Sequence, residues 1–440
     1  MAGRLRWGGR WAVSGVVAAL VVLTAALSAL AAMAGWGRES TGPDPDVRAV
    51  ERLLDRRADA VRAHDEDAFL ATVDRTADRY RAAQQRTFRN LTDVPLGSWQ
   101  YRVLGKGGFA PVQGQGRRVA FQVELRYQLA GYDTAPVVAP QRLTLVQRGH
   151  RWYVAAVQIP PAASLEASDG GGQRGAEQLW DQGRVEVVRG RHSLVLGVGH
   201  HRRYLKDVAV TADDAVPTVR RAWHRPWAGR VVVLVPRSLE DMATLLGGSA
   251  SGYRGIAAVT TGEIGGSGTV PADRVIINPD AYDVLGDLGR RVVMTHEATH
   301  VATRAATSAS TPLWLSEGFA DWIGYRDARI YPRQVAPELT RSLESGRLPR
   351  DLPDDDDFGF AGDGNVLAQA YEQGWLACRM IADQWGEDKL VAFYRAVGGA
   401  PPPPARGGGA PRPPPGGRLT GYCPESGRPP GAGAGHQVAA

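Results

Sequence analysis

Cysteine is nearly absent: the 440 residues hold two, Cys378 and Cys423. Two thiols rule out a disulfide framework and a cysteine-based zinc cluster. A metal site in this chain has to be built from histidine and carboxylate. Lysine is almost as scarce, since all but three of the 52 basic residues are arginine, the exceptions being Lys106, Lys206 and Lys389. A net charge of +6 would suit an anionic partner. Arginine excess of this kind follows from GC-rich bacterial coding, however, and no arginine–aromatic cluster or nucleic-acid motif accompanies it. Nucleic acid is therefore not expected as a partner. No P-loop and no nucleophile elbow is present. With 43% hydrophobic and 22% charged residues, the chain is globular rather than fibrous, wholly disordered or multi-span.

One long apolar run stands out. Residues 12 to 34 carry no charge, and Arg4, Arg6 and Arg10 precede them. Such a run is long enough to cross a hydrocarbon core of about 30 Å as a helix. The arginines on its N-terminal side predict a cytoplasmic N-terminus with the rest of the chain outside. A cleaved signal peptide has a shorter apolar region of roughly 7–15 residues, so 1–45 reads as a signal anchor and linker in the cell membrane. Ala32-Met33-Ala34 leaves cleavage and secretion as the alternative. Both place the functional part outside the cytoplasm.

After the anchor, residues 46–159 read as an α+β domain. Two helices are expected between Asp46 and Arg89, from the apolar stripe Val50, Leu53, Leu54, Ala58, Val61 and the restart at Phe69. Period-2 alternation then predicts four strands at Trp99–Val103, Val119–Tyr127, Leu143–Val146 and Trp152–Val157. This order, with its closing Arg151-Trp152-Tyr153-Val154, resembles the NTF2-like, SnoaL-type cone fold. No catalytic constellation falls in it, so a spacer or interaction role is expected. Residues 160–183, with Pro160-Pro161 and Gly170-Gly171-Gly172, read as a linker. Residues 184–397 read as a second α+β domain, with a hairpin at Val185–Val188 and Ser193–Leu196 and a helix over Tyr204–Trp223. Strands follow at Arg230–Val235, Tyr253–Thr261 and Val275–Asn278, with a helix capped by Ser238 among them, and then a long helix over Gly286–Arg304. From 398 to 440 the chain is roughly half proline and glycine, and such a segment is expected to be disordered. An abnormal end to the reading frame is the alternative there, which resequencing around codon 398 decides.

The long helix carries His296-Glu297-Ala298-Thr299-His300. Residues four apart share a helix face, so both imidazoles can converge on one ion. Zinc accepts neutral imidazole nitrogen. Glu297, on the flank of that face, can take a proton from a water polarised by the ion. The bland alternative is a buried helix with surface histidines. Against it, Val292, Val293, Met294, Val301 and Ala302 flank the motif, and unpaired His and Glu are costly to bury among them. A third ligand is expected on a following helix, whose start reads as Thr311-Pro312 in N-cap and first-turn positions.

That helix contains Trp314-Leu315-Ser316-Glu317-Gly318-Phe319-Ala320-Asp321. Trp-Leu-x-Glu-Gly-Phe-Ala resembles the segment bearing the glutamate zinc ligand of gluzincin metallopeptidases, including aminopeptidase N-like enzymes. The resemblance implies that His296, His300 and Glu317 hold Zn²⁺, that Glu297 is the general base, and that Asp321 hydrogen-bonds a ligand histidine as at the thermolysin-type position. Ala370-Tyr371-Glu372-Gln373-Gly374 is similar to the Tyr-Glu-x-Gly segment of aminopeptidase N-like enzymes, which implies that Tyr371 donates to the oxyanion; a core tyrosine is the alternative. Sixteen residues separate His300 from Glu317, two fewer than in the aminopeptidase pattern. The Gly-Ala-Met-Glu-Asn loop of the aminopeptidases is missing, so an endopeptidase acting on a peptide or protein is expected over an aminopeptidase. The resemblance spans about 184–397 and best fits the peptidase MA-like group of short, exported proteins of actinobacterial type, with a thermolysin-like mixed sheet and helical subdomain. The competing readings are a zinc-binding but inactive peptidase fold, and a non-enzymatic binder acting through the first domain. His200-His201 reads as a solvated helix start, and Asp354 to Asp357 as a solvated acidic loop without EF-hand spacing.

Overall fold

The computed structural model describes residues 44–158, 177–261, 272–359 and 364–400. The expected anchor at 12–34, residues 401–440 of the 398–440 tail expected to be disordered, and Cys423 lie outside the described residues. Among the described residues, no helix is long and apolar enough to cross a membrane.

The chain is mixed α/β, with helices before strands in its first part. Three helices lead, where two were expected: α1 (Pro45–Arg62), α2 (Glu66–Ala71) and α3 (Asp78–Asn90). The division comes from Asp65, whose side chain caps the short α2 by accepting the Ala68 N–H at 2.9 Å. Four long strands follow, β1 (Leu96–Lys106), β2 (Arg117–Leu129), β3 (Val137–Arg148) and β4 (Arg151–Gln158). They form an antiparallel meander in sequence order, as short connections between alternating strands allow.

The linker expected over 160–183 ends earlier than the sequence implied. Leu179–Gln182 forms a one-turn helix, α4. Its Trp180 is buried against Trp99 and Tyr127, with ring centroids 5.7 and 5.0 Å apart. Tyr127 donates to Gln178 Oε1 at 2.8 Å, and Asn90 Nδ2 donates to the Trp180 carbonyl at 2.8 Å. Proline and glycine upstream marked the segment as loop, but Leu179 and Trp180 bring enough apolar area to dock it.

The second sheet has five strands: β5 (Val185–Arg189), β6 (Ser193–Val198), β7 (Val231–Val235), β8 (Ala258–Thr261) and β9 (Arg274–Ile277), in the order β5-β6-β7-β9-β8. β6, β7 and β9 run parallel, while β5 and β8 close the edges antiparallel. Every residue of β6, β8 and β9 is buried, the pattern of strands covered on both faces. One face, with Val195, Val231, Val233, Val275 and Ile277, packs under α5 (Arg202–Trp223) and α8 (Asp287–Thr303). The other, with Leu194, Leu196, Val198, Val232 and Ile276, shares a core with Trp99, Leu125, Tyr127, Leu129 and Val137 of the first sheet. The N-terminal part, together with Leu239, Met242 and Leu246 of the helix after β7, therefore packs on this face of the second sheet. Between the two lies a buried ion pair, Arg274 to Asp133, with both hydrogen bonds at 2.7 Å.

Two other expectations shift. Tyr253–Thr261 is not one strand: Ala250–Tyr253 is a single 3₁₀ turn and only Ala258–Thr261 pairs. Gly255 weakens the pairing tendency of its first half. After α6 (Leu239–Leu246), α7 (Pro279–Tyr282) and α8, the helix expected to start at Thr311-Pro312 is α9 (Leu313–Tyr325), with Pro312 at the N-cap. Thr311 instead accepts the Ser308 N–H. The helical remainder comprises α10 (Pro332–Val335), α11 (Pro337–Glu344), α12 (Gly364–Trp385) and α13 (Glu387–Gly398).

Candidate metal centre

The helix α8 is buried on almost all sides from Val292 onward. Its threonines avoid buried unpaired hydroxyls by donating back along the helix, Thr299 to the Thr295 carbonyl at 2.7 Å and Thr303 to the Thr299 carbonyl at 3.0 Å. His296 and His300, one turn apart, both turn toward α9.

Three ligand-type atoms meet there. His296 Nε2 and His300 Nε2 are 3.0 Å apart, and Glu317 Oε2 lies 3.2 and 3.3 Å from them. All three residues are buried, and this group can hold a metal ion. The triangle fits such an ion: tetrahedral ligand bonds of about 2.0–2.1 Å give edges of about 3.3–3.4 Å. Three mutually close lone-pair atoms are also poorly served by hydrogen bonds alone, because an imidazole offers one proton per nitrogen at most.

One helix grips both sides of His296. Glu317 and Asp321 are four apart on α9 and share a face. Glu317 Oε2 approaches Nε2, while Asp321 Oδ1 lies 2.8 Å from Nδ1. A carboxylate only accepts, so the Nδ1 proton faces Asp321; with an ion bound, Nε2 would offer its lone pair to it. Burial opposes charge on both histidines. At His296 the Asp321 carboxylate overrides it and raises the pKa well above the ordinary value, while His300 lies below it. Burial likewise opposes ionisation of Glu317, but the histidines facing it hold it at about 2. Glu297 differs: burial pushes its carboxyl up to about 7, against the pull of His296 and of the Thr260 hydrogen bond.

Tyr371 comes to the same site from α12. Its ring lies 6.4 Å from the His296 ring and 5.1 Å from that of Phe358, and it is buried. Two glycines bring its helix in. A Cβ on Gly318 would overlap the Gly374 carbonyl, and one on Gly374 would lie 2.7 Å from the Trp314 carbonyl oxygen. Helices α9 and α12 thus cross in backbone contact one residue after Glu317.

Three residues take supporting roles that the sequence reading did not give them. Thr260 Oγ1 on β8 donates to Glu297 Oε2 at 2.6 Å. Asp355 Oδ1 accepts the Leu313 N–H at 2.7 Å and so caps α9, which makes part of the expected acidic loop a helix cap, with 355–358 as a 3₁₀ turn. Glu372 accepts the N–H groups of Glu338 at 3.1 Å and Leu339 at 2.5 Å, fastening α11. Burial raises its carboxyl to about 7 despite those bonds.

The other sequence candidates stay apart from this centre. His201 is the N-cap of α5, and His200 stacks on Tyr204 and contacts the Pro236 carbonyl oxygen at 2.7 Å. Cys378 is wholly buried, and burial pushes its thiol pKa up, away from reactivity. A cleft of about 340 Å³ beside α8 is lined by Asp214, Arg291, Thr295 and Asp327 rather than by the triad. No protein-family model matches the chain, and no curated protein matches it in sequence.

Proposed function

We propose that the chain is a zinc-dependent peptidase of gluzincin type, anchored by residues 12–34 with its catalytic part outside the cytoplasm. The observation that carries the reading is the near-equilateral triangle of His296 Nε2, His300 Nε2 and Glu317 Oε2, with edges of 3.0 to 3.3 Å. Three protein ligands are the number used at catalytic zinc, where structural sites use four. When bound, zinc supplies Lewis acidity toward a peptide carbonyl and toward water.

The chain's own groups divide the remaining work. Asp321 orients His296 through the Nδ1 proton. Glu297 accepts the proton of the attacking water and returns it to the leaving amine. Its carboxylate is held beside the triad by the Thr260 hydroxyl at 2.6 Å, where it can act in both halves of that cycle. Tyr371 donates its phenol proton to the developing oxyanion. The substrate is a peptide or protein cleaved internally, since the sequence offers no glutamate-bearing loop for a free amino terminus.

A second reading has one observation in its favour. His296, Glu297, His300, Glu317 and Tyr371 are all at most 3% exposed, which suits a metal-holding module without turnover. The third reading is a ligand binder acting through the first domain. A peptide-library digest with Glu297→Gln as control separates the first two, and zinc content separates both from the third. The expected result is cleavage by the parent chain and a loss of about 10²–10⁴-fold in the variant, with zinc retained. Cleavage at the parent rate by Glu297→Gln overturns the mechanism, and no cleavage by either favours the inactive module.

A further inference from the structure

We propose that Thr260 is the positioning residue that aims the Glu297 carboxylate. This rests on reading Glu297 as the acid–base group, and deepens that reading by naming what holds it.

β8 is the edge strand of the second sheet, and Thr260 pairs there with Val275 of β9. Strand alternation points Ala258 and Thr260 to one face and Val259 to the other. Ala258 belongs to the core under α8, and Val259 to the core shared with the first sheet. Thr260 thus faces the metal helix, and its exposure is 0%. Its hydroxyl lies 2.6 Å from Glu297 Oε2 and 3.2 Å from the Glu297 backbone oxygen.

Two features make this more than a filled hydrogen bond. First, a β-branched residue is stiff about χ1, and pairing to β9 fixes its backbone, so the hydroxyl is a rigid reference for a longer carboxylate side chain. Second, the same hydroxyl lies against the Glu297 carboxylate and the Glu297 backbone oxygen, so it references the side chain to its own helix as well as to the strand.

Val has the shape of Thr without the hydroxyl, and Ser has the hydroxyl without the branch. In the full-length, zinc-loaded chain, Thr260→Val is expected to lower kcat about 10²-fold, the scale of a misplaced catalytic group. KM and zinc content stay near those of the parent, and Thr260→Ser recovers most of kcat. A second readout needs no turnover. With ¹³C-labelled glutamate carboxyls and the Glu297 resonance assigned by its loss in Glu297→Gln, Thr260→Val is expected to move that resonance and Thr260→Ser to leave it nearly in place. A Thr260→Val chain with unmoved resonance and parent kcat overturns the proposal. If the parent chain cleaves nothing, the peptidase reading fails by itself, and the resonance still decides whether Thr260 holds Glu297.

Discussion

The two faces of the five-stranded sheet are made of equally apolar strands, yet they are closed in different ways. Over Val195, Val233 and Val275 lie α5 and α8, and on that side the chain buries His296, Glu297, His300, Glu317 and Asp321. Over Leu194, Leu196, Val232 and Ile276 lie α6 and the N-terminal meander, with a buried ion pair, Arg274–Asp133, at the junction. Both faces rest on apolar cores, but only the α8 side adds a cluster of buried histidines and carboxylates at set distances. The contrast shows why the first part of the chain is more than a tether: with α6 it forms the wall that lets β6 and β9 be hydrophobic on both sides.

The harshest way to break the comparison is to remove that wall. Deleting residues 46–158 uncovers Leu194, Leu196, Val198 and Ile276 and strands Arg274. The expected product is insoluble or aggregated, as large exposed apolar patches dictate. A soluble remainder with a cooperative unfolding transition would show the two halves to be independent. On the chemical face, the Glu297→Gln loss described above is the corresponding blow, read in turnover and not in folding.

Smaller, and confined to the junction, is Asp133→Ala. It leaves a buried guanidinium without its partner, and a cost of about 3–5 kcal/mol is expected in denaturant unfolding. Replacing both Asp133 and Arg274 by apolar residues should recover much of that loss. If the single variant unfolds like the parent, the pair carries no weight.

The mildest test uses pH and stays within the N-terminal part. Asp74 is buried, and burial opposes its charge. Hydrogen bonds from Arg148 and Thr76 nevertheless hold its pKa below the ordinary value. A depressed acid contributes stability above its unfolded pKa of about 3.9, and that contribution is lost as pH falls through the folded value. Thermal melts of parent and Asp74→Asn should therefore differ at neutral pH and converge in acid. A constant difference down to pH 2 contradicts the assignment.

How much was legible in the sequence follows from where partners lie. His296, Glu297 and His300 sit on one helix within one turn, so spacing alone brought them together, and Glu317 with Asp321 repeat that geometry. Thr260, Asp355 and Glu372 left no such mark, because their partners are 37, 42 and 33 residues away. Nothing local says that a strand threonine faces a catalytic-type glutamate. The wall was hidden for a related reason: a strand buried on both faces reads as a continuous apolar run whatever covers it. Trp180 is the exception. Leu179-Trp180 was an apolar pair at the end of a glycine-rich stretch, and it marked the docked turn that the flanking composition obscured.

The central claim is that His296, His300 and Glu317 act together as one metal site. Zinc content per full-length chain, measured after dialysis against a weak competing chelator, tests it most directly. The account predicts one zinc in the parent and in Glu297→Gln, and little in His300→Ala or Glu317→Ala. A parent chain that holds no zinc, or triad variants that hold as much as the parent, would contradict it.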